Sequence, residues 1–219
     1  MTEERGRRYA VKEIFYTLQG EGAQAGRAAV FLRFAGCNLW SGREADRASA
    51  ACDFWDTEFV GTDGAGGGRF GSANALAAAV RQAWSAPWPA RGRPLVVCTG
   101  GEPLLQLDAA ATRALHRMGF DIAVETNGTQ PRPSGIDWLC VSPKGNQPLE
   151  IRGGDELKLV YPQPGVDPAR FLELSFGRFS LQPMDGPNRV ANTEATLAYI
   201  RAHPTWRLSV QQHKDLGIP

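Results

Sequence analysis

Short apolar runs alternate with polar stretches along the chain, and this pattern predicts a series of strands. In the first two segments, 11–17 and 28–35, apolar and polar residues alternate or strand-forming residues predominate. Later runs are continuously apolar, as is typical of parallel strands covered on both faces. Strands are predicted at 11–17, 28–35, 95–98, 120–125, 136–141, 156–161 and 178–181. The later runs each end in polar residues, so we expect those residues to converge on one rim of the sheet.

Helical signals lie between these runs. Helices are predicted at 74–84, with Ser72 as N-cap, at 108–118, followed by Gly119, and at 193–203, capped by Asn192 or Thr193. The stretch 41–51 has helix-compatible composition, 61–71 holds six glycines and predicts a loop, and 145–172 lacks clear helical patterning. Strand–helix alternation indicates the α/β class, and the missing helix indicates a single-domain partial (βα) barrel with a mostly parallel sheet over 1–219.

Composition indicates the size of the domain, the kinds of partner and the cellular location to expect. A chain of 219 residues with 42% apolar content fits one domain of ordinary size. The net charge of +1 indicates no nucleic-acid partner, and no apolar run is long enough to span a membrane. The first eight residues are charged and lack the apolar core of a signal peptide, so we expect a cytoplasmic protein. Four scattered cysteines do not resemble a secreted disulfide scaffold.

Several polar groups are candidates for chemistry, each with a plainer alternative. Cys37 and Cys52 are separated by fourteen residues, and cysteines in such a chain are more often metal ligands or redox groups than disulfide partners. The segment 19–22 (Gln-Gly-Glu-Gly) is a ligand-binding loop or a hairpin turn. Arg33 is an edge-strand charge or a clamp for a carboxylate. The segment 99–103 (Thr-Gly-Gly-Glu-Pro) binds a ligand, forms a phosphate-binding turn or merely connects strand to helix.

Six ordered segments together resemble the 7-carboxy-7-deazaguanine synthases of the radical S-adenosylmethionine (SAM) superfamily. They are 16–22, 34–44, 99–103, 125–128, 142–144 and 181–186. The cluster signature of this branch is C-x14-C-x2-C, which Cys37 and Cys52 match. The third position is Trp55, which departs from the signature.

The resemblance implies a radical SAM lyase that converts 6-carboxy-5,6,7,8-tetrahydropterin to 7-carboxy-7-deazaguanine, with loss of ammonia, on the route to queuosine in tRNA. It implies a 4Fe-4S cluster, SAM and Mg²⁺. A 5′-deoxyadenosyl radical would take a hydrogen from C6 of the pterin and SAM would act catalytically. It also implies an external electron donor such as flavodoxin, and a homodimer.

The resemblance assigns three groups of site residues. For the pterin substrate they are Leu18, Gln19, Gly20, Glu21, Arg33, Thr99, His213 and Pro219, the last through its carboxylate. For SAM they are Phe54, Asp56, Gly101, Glu125, Ser142, Pro143, Lys144, Gln182, Pro183, Met184 and Asp185. For metals they are Cys37 and Cys52 on iron and Thr57 on Mg²⁺. The alternatives are a frayed tail, a surface histidine and a threonine that satisfies its own turn.

Trp55 leaves the cluster's ligand set incomplete, because indole offers an N–H donor and no lone pair to a metal. Cys98 and Cys140 lie in apolar runs and are expected to be buried small hydrophobes. Three hypotheses remain. The chain is an active lyase, a non-catalytic member that binds SAM or pterin without radical chemistry, or a protein with zinc at Cys37 and Cys52, where two thiolates do not complete a tetrahedron.

Overall fold

A single nine-stranded sheet forms the centre of the molecule. The computed structural model describes residues 8–52 and 58–219. The strands are β1 (Tyr9–Leu18), β2 (Ala28–Phe34), β3 (Gly68–Phe70), β4 (Leu95–Gly100), β5 (Asp121–Thr126), β6 (Trp138–Val141), β7 (Gly153–Tyr161), β8 (Ser175–Pro183) and β9 (Trp206–Leu208). Their order across the sheet is β3-β1-β2-β4-β5-β6-β7-β8-β9. β1 pairs antiparallel with β2 and β3, whereas every pairing from β2 across to β9 is parallel.

Helices connect some of the strands. They are α1 (Ala73–Ala83), α2 (Ala109–Arg117), α3 (Arg189–Ala202) and α4 (Gln212–Leu216), with 3-10 helices at Gly22–Gln24, Glu44–Ser49, Pro103–Leu105 and Pro168–Phe171. Ser72 accepts a hydrogen bond from the Ala75 amide, and Asp108 caps α2 through the Ala111 amide. Such caps satisfy amides that have no partner inside the helix. Among the described helices, none has both the length and the apolar character that a bilayer crossing requires.

The two faces of the sheet have different environments because successive side chains of a strand point to opposite sides. Val96, Ile122 and Leu139 lie on the face that the helices cover, in the main apolar core. The opposite face begins with a small apolar layer that contains Ala29, Leu95, Val97 and Ala123. Further along the same strands the residues on this second face become polar. The candidate site lies at this polar end of the face.

The predicted α/β class with a mostly parallel sheet is confirmed, and so are the seven predicted strands. The predicted 41–51 helix shortens to the 3-10 helix Glu44–Ser49. α3 begins at Arg189, four residues before the predicted start, with Asn188 as N-cap, so the prediction of Asn192 or Thr193 as its cap is wrong. The predicted 61–71 loop contributes β3, because β1 supplies a partner for its last residues. Between 145 and 172 the only helical element in the described structure is the short Pro168–Phe171, as expected.

Candidate substrate and cofactor site

A cavity of about 450 Å³ lies at the carboxyl ends of the parallel strands, on the face of the sheet opposite to α1, α2 and α3. Its walls come from inward-facing positions near the strand ends. These include Arg33, Thr99, Glu125, Lys158 and Gln182. Parallel strands bring such residues to one edge, where ligands bind in α/β folds.

The cavity gathers most of the predicted site. The lining residues that were predicted are Leu18, Gln19, Gly20, Glu21, Arg33, Thr99, Glu125, Ser142, Lys144, Gln182, Pro183, Met184, Asp185, His213 and Pro219. Four predicted residues of the described chain do not line it, namely Cys37, Cys52, Gly101 and Pro143. The predictions for Phe54, Trp55, Asp56 and Thr57 fall outside the described residues.

Arg33 is held at the cavity wall by a neighbouring strand. Its Nε donates to Glu13 Oε1 at 2.7 Å, and its guanidinium lies 5.9 Å from the ring centroid of Phe15. No other residue of the described ranges hydrogen-bonds its terminal nitrogens. An arginine fixed through Nε keeps a planar pair of donors, the geometry that matches a ligand carboxylate.

A buried lysine joins two carboxylates in the part of the cavity wall formed by β5, β7 and the loop after β1. Lys158 Nζ lies 2.5 Å from Glu21 Oε2 and 2.9 Å from Glu125 Oε2. Gln211 donates to Glu21 Oε1 at 2.9 Å, and Gln19 donates to Glu125 Oε1 at 3.2 Å. The side chain of Lys158 is 4% exposed, whereas each carboxylate side chain keeps 20% of its surface exposed. We call Glu21, Lys158 and Glu125 the charge trio.

The ionisation of the charge trio follows from this pairing. Burial by itself would raise the pKa of Glu21, but Lys158 and the hydrogen bond from Gln211 outweigh it and lower the pKa to about 2. Burial would lower the pKa of Lys158, but Glu125 and Glu21 raise it well above its ordinary value. The carboxylate of Glu21 and the ammonium of Lys158 are therefore both charged at neutral pH.

The last eleven residues fold back over the cavity, and we call residues 209–219 the C-terminal strap. The amide of Gln212 donates to the carbonyl of Gly20 at 3.0 Å, and Thr17 Oγ1 donates to a Pro219 oxygen at 2.9 Å. Lys214 pairs with Asp185 at 2.6 Å. The alternative of a frayed tail does not hold, because the strap is tied to β1, to the loop after it and to the loop after β8.

The Thr-Gly-Gly-Glu-Pro segment packs against the loop that carries Cys37. The amide of Glu102 donates to the Gly36 carbonyl at 2.9 Å, and a Cβ at Gly101 would stand 2.2 Å from that oxygen. The carboxylate of Glu102 is fully buried and accepts from the Leu104 amide, Thr126 Oγ1 and the Asn127 amide. Burial raises the pKa of Glu102 despite these donors. Glycine at 101 thus permits a contact that any side chain would block.

The predicted iron site has two cysteines from the described chain, Cys37 and Cys52. Ala51 N donates to Leu39 O at 3.1 Å, which closes the loop between Cys37 and Cys52. Cys98 is buried on the helix-covered face, and burial raises the pKa of its thiol to about 12. Cys140 is buried below the charge trio, and burial raises the pKa of its thiol well above the ordinary value. Neither supplies a third thiolate, since no group of three or more metal-binding His, Cys, Asp or Glu side chains occurs within 8–52 and 58–219.

The donor set therefore does not fit a cluster held by three thiolates. Cys37 and Cys52 supply two, and Trp55 has no lone pair for iron. Among the residues predicted for SAM, Ser142, Lys144 and Gln182 line the cavity together with Asp185, where their polar groups are available to a ligand. Lys144 Nζ donates to Ser142 Oγ at 2.9 Å, which orients both on the cavity wall.

Sequence reasoning missed Lys158, Gln211 and Lys214 as cavity residues. Lys158 did carry a signal, because a lysine within an apolar strand must face either solvent or a buried partner. Gln211 and Lys214 carried none, because only the fold-back of the strap brings them to the cavity.

Known proteins resemble this chain closely over nearly their whole length. It is 64% identical over 211 residues to a 7-carboxy-7-deazaguanine synthase of Caulobacter vibrioides, covering 96% of this chain and 99% of the relative. Relatives of the same name from Bordetella pertussis and Nitratidesulfovibrio vulgaris are 61% and 53% identical to this chain. Each alignment covers 96% of this chain and 99% of the relative. The crystal structure of QueE from Escherichia coli superposes with a TM-score of 0.64 at 26% identity, covering 97% of this chain and all of that chain. No protein-family model matches the sequence.

Proposed function

The chain belongs to the 7-carboxy-7-deazaguanine synthase family, and from that membership we propose how its cavity holds the reactants. The family is a radical SAM family of carbon–nitrogen lyases in queuosine biosynthesis. Its enzymes use a 4Fe-4S cluster and SAM and act on a small pterin. The observation that supports the assignment of residues is the convergence of the predicted substrate and SAM residues on one cavity.

The pterin, 6-carboxy-5,6,7,8-tetrahydropterin, occupies the part of the cavity between β2 and the C-terminal strap. Arg33 binds its carboxylate through the terminal guanidinium nitrogens, since Nε is already used by Glu13. Leu18, Gln19, Gly20, Glu21 and Thr99 form the wall around the ring, and His213 and Pro219 close it from the strap. Tying the strap to Thr17 and Gly20 excludes water from the reacting carbon.

SAM occupies the part between β6 and the loop after β8. Ser142, Lys144, Gln182, Pro183, Met184 and Asp185 line that part, and Glu125 lies between it and the pterin. Gly101 supports the site through the contact with Gly36, while Pro143 follows Ser142 in the same loop. Phe54 and Asp56 complete the SAM residues and Thr57 binds Mg²⁺ beside substrate oxygens. When SAM is bound it supplies the carbon that must lie close to C6 of the pterin, and the protein's part is to hold that near-attack geometry.

The mismatch at the third cluster position favours a second candidate function. With two thiolates from Cys37 and Cys52 and an indole at Trp55, the chain is a member that binds SAM or pterin without radical chemistry. An active version further requires an electron donor such as flavodoxin. In both versions we propose a homodimer in the cytoplasm.

Anaerobic reconstitution of the chain and of Trp55→Cys separates the two candidates. We expect Trp55→Cys to bind more iron and sulfide per chain and to turn over faster, because it completes the three-thiolate set. Equal, full occupancy with equal turnover would contradict this expectation. Binding of 6-carboxypterin, a stable oxidised analogue, is measured in parallel by ligand fluorescence. Absence of binding to both versions would remove the proposed site itself.

A further inference from the structure

The charge trio has more acceptor capacity than the protein uses. A carboxylate offers about four lone-pair sites. Glu21 receives one donor on each oxygen, from Lys158 and Gln211. Glu125 receives Lys158 and Gln19 in the same way, and the Cys140 thiol is a third hydrogen-bond partner of this carboxylate. Both carboxylates border the cavity. Oxygens with remaining lone pairs in a partly desolvated wall recognise ligand N–H groups strongly.

Lys158 sets the positions of both carboxylates. It extends from β7 across β6 to reach Glu125 on β5, and the small side chain of Cys140 on β6 lies beneath this bridge. The same ammonium draws Glu21 in from the loop after β1. Other charged and titratable groups nearby are Glu156, which is occupied by Ser180 and the Ala23 amide, and His213 on the strap. Without the lysine, two like charges would face each other in a buried wall.

We propose that Lys158 is a positioning residue that holds Glu21 and Glu125 as a paired acceptor edge, and that this edge selects a ring with a 2-amino group over one with a 2-oxo group. The proposal rests on the proposed function, since it concerns the pterin end remote from Arg33. A 6-carboxylated pterin carries its carboxylate at one end and adjacent 2-amino and N3–H donors at the other. Those ends match a guanidinium pole and a carboxylate pole of one cavity.

A 2-oxo ring replaces one of the two hydrogen-bond donors by an acceptor. It keeps N3–H but presents a carbonyl oxygen where the pterin presents an amino group, so an acceptor faces a charged acceptor. Sites built to pair with a ligand N–H discriminate sharply against analogues that lack it, because a polar group is left unpaired or repelled. Hydrogen bonds to charged groups correspond to about a 10- to 100-fold difference in affinity.

Ligand fluorescence titrations of the full chain, with SAM and Mg²⁺ present, test the proposal. The probes are 6-carboxypterin and 6-carboxylumazine, which differ only at position 2. We expect the chain to bind the pterin about 10- to 100-fold more tightly than the lumazine. We expect Lys158→Met to bring this ratio close to one, and Lys158→Arg to restore most of it. Arg33→Met is the matched control, because it removes a contact that both ligands share and should weaken both without changing the ratio.

Two further variants keep the test decisive if Lys158→Met does not fold. Glu125→Gln offers an amide that pairs with either ring, so the ratio should fall toward one. Lys158→Met combined with Glu125→Gln removes one formal positive and one formal negative charge and should give the same loss of selectivity. A ratio near one in the unmodified chain overturns the inference and leaves the proposed function standing. Failure of the unmodified chain to bind either ring overturns the proposed function, and the inference falls with it.

Discussion

Replacement of Gly101 by alanine tests whether the Thr-Gly-Gly-Glu-Pro segment depends on contact with the Cys37 loop. The added Cβ would lie 2.2 Å from the Gly36 oxygen and 2.7 Å from the Cys37 Cβ, whereas an ordinary contact begins at 3.4 Å. The obstacle is backbone, and the Gly36 oxygen already accepts from the Glu102 amide at 2.9 Å. Relief therefore requires a shift of roughly 1.2 Å in one of the loops.

The cost follows from the two contacts that such a shift affects. Overpacking typically costs about 1–3 kcal/mol, and a lost backbone hydrogen bond adds about 1 kcal/mol, so we expect the free energy of unfolding to fall by about 2–4 kcal/mol. Urea unfolding followed by tryptophan fluorescence measures this change. S-adenosylhomocysteine affinity should fall in parallel, because Gly101 is one of the residues proposed to form the SAM site.

Gly71→Ala is the matched control for this prediction. Gly71 has no heavy atom within 4 Å of the added Cβ and its φ is not in the left-handed region. We expect its free energy of unfolding to stay within about 0.5 kcal/mol of the unmodified chain. Equal stabilities for the Gly101 and Gly71 variants would refute the close contact between the two loops.

Three other perturbations test the structure. Glu102→Ala should lower the free energy of unfolding by about 3 kcal/mol or more, because three buried donors lose their acceptor; a loss under about 1 kcal/mol would contradict the burial. The pKa of Glu21 is lowered to about 2 from 4.5, so its charged form stabilises the fold above 4.5 and that contribution is lost as the pH falls toward 2. The stability advantage over Glu21→Gln should shrink accordingly in urea titrations at decreasing pH, and a pH-independent difference would count against the Lys158 pairing. Thr17→Val removes the hydrogen bond to Pro219 and should speed hydrogen exchange across the strap, whereas an unchanged rate would show that other contacts hold it.

The local sequence pattern was sufficient to predict the strands and many of the residues that line the cavity. The apolar runs over β4 to β8 identify parallel strands because both faces of such strands are covered. Residues such as Thr99, Ser142 and Gln182 follow from their place at the strand ends, since parallel strands share one carboxyl edge. The N-cap Ser72 was equally accessible, because capping depends on residues three positions apart.

Contacts between distant segments decided the rest. β3 exists because β1 offers it a partner, and the C-terminal strap is ordered by Thr17 and Gly20, some two hundred residues away in sequence. The charge trio joins a loop after β1 to residues of β5 and β7. The sequence alone determined many of the residues on the rim of the sheet, and it shows Trp55 at the third cysteine position of the cluster signature. Only the tertiary structure decided which rim residues pair with one another, because a buried charge is stable only where the fold supplies its partner.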